Sequence, residues 1–343
     1  LFDHVKKGTK LCKISTGVMR MHFPVSGVDV FPLIPPLVAF AVATVTAPAG
    51  VSGAFLLLPF QVSVLGFTSP AVSPTNLVYN IVAIPSGLAR YIREGRMAWP
   101  VTWVVVLGTL PGVFGGALVR VKYLPDPRSF KFFVGLVLLY LGLRLLYETT
   151  GRYARQKKEL KALEQRFQQR VRELKAGHQA RVAAGLPPEA VVRTRSFGLR
   201  RIEYEFWGET FSFPTLTLFI MALVVGVVGG IYGIGGGAII APFCVAVLGL
   251  PVYTVAGAAL AGTFLTSVAG VAYYTAIAPA YGATGMAVAP DWLLGLLFGI
   301  GGMLGTYTGA RLQKYIPERI IRGVLGVLVT GLALQYVLQF FVK

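Results

Sequence analysis

Charge is what this chain most lacks. Only 13% of its 343 residues are Asp, Glu, Lys or Arg, about half the share usual in a soluble domain. The long apolar runs hold no histidine, because His4, His22 and His178 lie outside them, and Asp291 and Glu148 stand at run ends. Membrane proton relays are built on such groups, so the sequence offers no carboxylate or imidazole relay. Cysteine is scarce too. Cys12 and Cys244 are far apart and no CxxC or Cys/His cluster exists, which argues against a disulfide framework or a zinc site. No metal or cofactor is expected. The runs do not alternate polar with apolar residues, which argues against a β-barrel.

What remains is apolar: 55% of the chain is hydrophobic. Several runs reach about 18 residues or more, enough to cross a bilayer core of about 30 Å. Lipid admits only helices or closed barrels, so the reading is an all-α polytopic membrane protein. The net charge of +18 is concentrated in the amino-terminal tail, in short loops and in one polar segment. Basic residues beside spans mark the cytoplasmic face and meet anionic lipid, a reading preferred here to nucleic-acid binding. No apolar core precedes Val28, so no cleaved signal peptide is expected there.

The chain repeats itself. Shifted by 183 positions, Gly50, Gly53, Pro59, Phe60, Leu65 and Gly66 fall on Gly233, Gly236, Pro242, Phe243, Leu248 and Gly249. Farther on, Gly112, Gly116 and Ala117 match Gly305, Gly309 and Ala310 at a shift of 193. Four segments follow. Residues 1–29 are a basic tail, read as mobile or lying on the membrane surface. Residues 30–149 are transmembrane repeat 1, 150–212 a basic helical cytoplasmic insert, and 213–343 transmembrane repeat 2.

Spans are expected near 31–48, 69–89, 99–119 and 130–147, and again near 213–228, 253–276, 292–313 and 319–341. Short apolar segments, one at about 53–65 and one from the second glycine turn to 248, are too short to cross upright and read as half-helices. That makes about eight full spans plus two half-helices. Four crossings per half would make the halves parallel, and five would invert them. Segment length favours four. In the insert, Leu160, Leu163, Phe167, Val171 and Leu174 form a helical stripe from Tyr153 to about Ala184.

The glycine turns carry the chemistry. A helix start exposes unpaired N–H groups and partial positive charge, and glycine lets an anion approach that backbone. Two such starts brought together would bind an anion without a lysine or arginine. The candidate substrate-binding residues are Gly50, Ser52 and Gly53 in the first turn, and Gly233, Gly235, Gly236 and Gly237 in the second. Asn76, Asn80 and Thr263 follow on the next spans. Helix packing is the alternative role for each of them. Gly50-Val-Ser-Gly53 also reads as the GxSG of rhomboid proteases, but no span supplies the histidine base, so no enzyme is expected.

Gly233-Ile-Gly-Gly-Gly-Ala-Ile-Ile-Ala-Pro242, then Leu248-Gly-Leu-Pro251, a Thr/Ser-bearing span and the degenerate first copy with Asn76 together resemble the TauE/SafE sulfite exporters. The resemblance covers about 31–148 and 213–341. It implies an inner-membrane permease for small sulfur oxyanions or organosulfonates, generally moving them outward, with duplicated halves. Other readings stay open: a permease for another small anion or a cation, or a scaffold or sensor acting through the 150–212 insert. A homo-oligomer is also open. The expected partners are a small-molecule anion and the lipid bilayer.

Overall fold

The computed structural model describes residues 11–13, 19–47, 52–93, 97–150, 192–206, 209–250, 252–312 and 318–342. Gly50 and the helical stripe expected at 153–184 lie outside them. The first half holds strands β1 (Leu11–Lys13), β2 (Met19–Phe23) and β3 (Val28–Val30). Helices α1 (Ile34–Thr46), α2 (Ala54–Ser63), α3 (Val72–Ala83), α4 (Pro85–Arg93), α5 (Trp99–Lys122) and α6 (Pro127–Glu148) follow. The second half holds β4 (Arg193–Phe197), β5 (Arg201–Phe206) and β6 (Glu209–Pro214). Its helices are α7 (Thr215–Tyr232), α8 (Gly237–Leu248), α9 (Val252–Ile277), α10 (Trp292–Leu312) and α11 (Glu318–Phe341).

Six helices among the described residues are long and apolar enough to cross a membrane. Apolar side chains such as Leu136, Leu143, Val324 and Leu328 face outward from them, as lipid contact requires. This is a mostly helical, multi-pass membrane protein. Six is fewer than the expected eight for two local reasons. The first span shortens to the 13 residues of α1. The span expected at 69–89 breaks at Ile84, where Pro85 follows; proline lacks an N–H and keeps the preceding residue from continuing a helix. The short segments form as read, as α2 and α8.

An all-α description also needs correcting. Strands β2 and β3, which lie almost wholly in the basic tail of 1–29, bury Phe23, Val28 and Val30. A second antiparallel meander, β4–β5–β6, crosses the boundary drawn at 212. Ile202, Tyr204 and Phe206 alternate with polar residues and are buried, the period of two that a half-buried strand needs. Each meander leads into the first helix of its half. The first is tied to the start of α10, where Asp291 accepts from the Ser26 backbone N–H (3.2 Å) and hydroxyl (2.9 Å). The second reaches the start of α9, where the Tyr204 and Thr254 hydroxyls are 2.9 Å apart. Asp291 N–H bonds Thr75 near the start of α3 (2.8 Å). Helices α3 and α9 run antiparallel, with Gly270 against Leu77 and Asn80 against Ser267, so the two sheets sit at opposite ends of this pair.

Helix packing exchanges the halves. A methyl group on Gly112 or Gly116 of α5 would overlap the α7 carbonyls of Leu223 or Val227. On Gly305 or Gly309 of α10 it would crowd the α1 carbonyls of Phe40 and Thr44 in the same way. The glycines that matched at a shift of 193 thus do the same job twice, letting backbones meet where no side chain fits. Helices α6 and α11 also pack closely and run antiparallel: Gly135 lies against Tyr336, Gly142 against Thr330 and Gly326 against Leu146. At one end of this pair Glu148 joins Arg144 (2.8 Å) and Arg322 (3.1 Å).

Gly112→Ala should destabilise the protein by about 1–3 kcal/mol, the usual cost of overpacking. Gly115→Ala, one helical position from Gly116 but with open space around it, should gain up to about 1 kcal/mol from helix propensity. Thermal midpoints in detergent check both. Equal midpoints for the two variants would refute the close α5–α7 seam.

Candidate functional site

The second glycine turn lies at mid-depth. Gly237, the first residue of α8, faces Ala259 and Thr263, close to midway along α9. From there α8 returns toward the start of α9, so its amino terminus is the inner end. Gly233 closes α7 in the left-handed region (φ 83°), and Gly235 is left-handed as well (φ 72°), a conformation glycine adopts without strain. A methyl on Gly233 would overlap the Ser73 backbone, and one on Gly235 would come within 2.8 Å of the Thr263 methyl.

Breaking a helix here strands carbonyls, and four of them have a named side-chain donor. The Tyr274 hydroxyl donates to Gly230 O (2.9 Å) and Ser73 to Ile231 O (2.8 Å). Asn76 Nδ2 donates to Gly233 O (3.1 Å), and Asn80 Nδ2 to Ile234 O (3.0 Å). The first half-helix is tied to the same place. Asn76 Nδ2 also donates to Ala54 O (2.9 Å), and Tyr232 hydroxyl to Phe55 O (2.6 Å). Asn76 Oδ1 accepts from Gln61 (3.2 Å). One buried amide therefore joins the start of α2 to the glycine turn before α8.

The candidate residues fare differently. Ser52 caps α2: its Oγ accepts from Ala54 N–H (3.3 Å) and its carbonyl from Phe55 N–H (3.4 Å). The Gly53 carbonyl takes Leu56 and Leu57 N–H, both at 3.1 Å. The donors at the start of α2 are thus engaged within their own turn, in keeping with a first copy that is degenerate in sequence. Gly53 itself lies against Tyr79, where a methyl would come 2.6 Å from the hydroxyl. Asn76 is saturated. Asn80 is not: its Oδ1 is buried with no partner among the described residues. Gly236 N–H donates to Thr266 Oγ1 (3.2 Å), and Gly237 packs on Thr263. Thr263 donates its own proton to Ala259 O (2.8 Å), so it packs the turn rather than offering a donor to it.

Several residues at this place were not singled out from sequence. Ser73, Tyr232 and Tyr274 read as ordinary span residues, and nothing in their spacing marked them. Gln61 carried a signal, an amide within an apolar half-helix; its Oε1, like Asn80 Oδ1, is buried without a partner among the described residues. None of the groups around the turn is an acid, histidine, lysine or arginine. Its positive character comes from the amino terminus of α8.

Asn76→Ala would strip the Gly233 carbonyl and the Gln61 amide of their partner, while the Ala54 carbonyl keeps its helical bond. At about 1–3 kcal/mol for each buried unsatisfied group, the expected loss is about 2 kcal/mol or more. Thr263→Val should cost only about 1 kcal/mol, since the Ala259 carbonyl keeps its helical bond. Denaturation in detergent checks the ranking, and an Asn76 variant as stable as the Thr263 variant would contradict the bridge.

Comparison with known proteins matches the family model described as Sulfite exporter TauE/SafE to residues 36–336, nearly the whole chain. No curated protein and no solved structure matches.

Proposed function

The chain belongs to the sulfite exporter TauE/SafE family, and on that premise we propose that this multi-pass membrane transporter carries small sulfur oxyanions or organosulfonates out of the cell. The observation that carries the reading is the glycine turn at Gly233–Gly237, a helix start held at mid-depth with no charged side chain around it. The anion sits at the amino terminus of α8, where a helix leaves N–H groups over. Gly235 and Gly237 let it approach, and Asn80 lines the seat. The α2 turn forms the facing wall, held by Asn76, with Ser52 and Gly53 shaping it rather than donating. The unpartnered Asn80 Oδ1 favours a ligand that brings a proton of its own, as a protonated oxyanion does. Such a substrate would carry its proton with it and need no protein relay.

We further propose that the halves are inverted repeats in the cell membrane, with the insert cytoplasmic. The antiparallel pairing of α6 with α11, and of α3 with α9, supports an axis lying in the membrane plane. This departs from the parallel arrangement that segment length favours.

Two experiments test these statements. In proteoliposomes, sulfite or sulfonate flux should saturate, respond to a pH gradient, and fall at least tenfold in Gly235→Ala and Asn80→Ala while acetate flux stays at background. Absence of oxyanion flux in the wild type would remove the anion reading. For topology, single cysteines replacing Tyr123 and Val342 in a cysteine-free background should label from one side of the membrane, and one replacing Thr150 from the other. Val342 labelling together with Thr150 would restore the parallel arrangement.

A further inference from the structure

Arg120 is fully buried near the end of α5 and forms no ion pair among the described residues. Its guanidinium lies 3.7 Å from the centre of the Phe130 ring. Nη1 donates to the Leu124 carbonyl and Nη2 to the Thr68 carbonyl at 3.4 Å. Tying the loop after α5 to the loop before α3 accounts for those two bonds. It does not account for Nε, which is buried with no acceptor among the described residues, or for the hydroxyl of Ser69, next to Thr68, which is buried and without a partner among them as well. Nor does it supply a counter-charge, and an unpaired buried cation is among the costliest groups a membrane protein can hold.

We infer that Arg120 and Ser69 form a second oxyanion station, separate from the glycine turn and placed nearer the end of the bundle. The anion accepts from Arg120 Nε–H and the Ser69 hydroxyl and supplies the missing charge. A guanidinium suits this, because its planar edge matches two oxygens of one oxyanion. Thr68 and Ser69 are only half-buried, so the station lies near the surface. The same chemistry fits a free oxyanion or the phosphate of an anionic lipid. The inference stands apart from the glycine-turn site and borrows from it only the choice of probe.

The test is calorimetric titration of the purified full chain in neutral detergent with sulfite and with methanesulfonate. Native mass spectrometry of retained phosphatidylglycerol forms a parallel arm. Two binding events are expected. Ser69→Ala and Arg120→Lys should weaken one at least tenfold and leave the other, and Gly235→Ala should do the reverse. Ser69→Ala is the deciding variant, since it should melt like the wild type even if Arg120 variants do not. A single sulfite event with phosphatidylglycerol retained by the wild type and lost in Ser69→Ala would support the station with a lipid phosphate in it. The inference is overturned if Ser69→Ala and Arg120→Lys change neither anion binding nor lipid retention, in which case Arg120 only ties the two loops. A single event lost in Gly235→Ala alone, without lipid retention, overturns it and leaves the transport reading intact.

Discussion

The structure depends on what becomes of the peptide groups that broken helices leave uncovered at membrane depth. Water is not there to bond them, and each bare carbonyl would cost several kcal/mol. Six are met by side chains: those of Gly230, Ile231, Gly233 and Ile234 around one break, and Ala54 and Phe55 at the other. The donors come from α3, α9 and the last residue of α7. This gives the polar residues in those apolar helices a physical reason to exist before any ligand is considered. It also separates them by role, since Asn76 is spent on carbonyls while Asn80 keeps an oxygen in reserve.

The same economy governs the packing. Lipid gives helices little hydrophobic reason to associate, so contact depends on how closely backbones can approach. In each half a glycine stripe on the next-to-last helix receives the first helix of the other half: α5 takes α7, and α10 takes α1. Neither half therefore completes its own packing. The glycine turn before α8 rests in turn on Ser73 and Asn76 of the opposite half, so the candidate site exists only when both are assembled.

Much of this was legible. The half-helices, the matched glycines and the helical spacing of Asn76 and Asn80 are patterns within a single stretch, and local geometry follows from them. Partners across the fold were not legible: nothing in the sequence pairs Asn76 with Gly233 or Tyr232 with Phe55. Two misses had local signals. Ile202, Tyr204 and Phe206 alternate as a strand does, within a segment whose basic residues mark it as polar. Arg120 falls just past the span expected at 99–119; α5 runs on to Lys122, and those few residues carry the guanidinium from surface to interior. Pro85 marked the break between α3 and α4, yet an apolar run hides a kink that hydropathy does not register.

The seam between α6 and α11 carries a consequence of its own. A helix that packs antiparallel against its own counterpart presents a self-complementary face, the kind two identical molecules share across a two-fold axis. Two copies of a single half, threaded into a membrane in opposite senses, would meet on those same contacts. Fusing them into one chain fixes the ratio and the relative orientation of the copies. It also frees the two glycine turns to diverge, so that each can settle into contacts of its own.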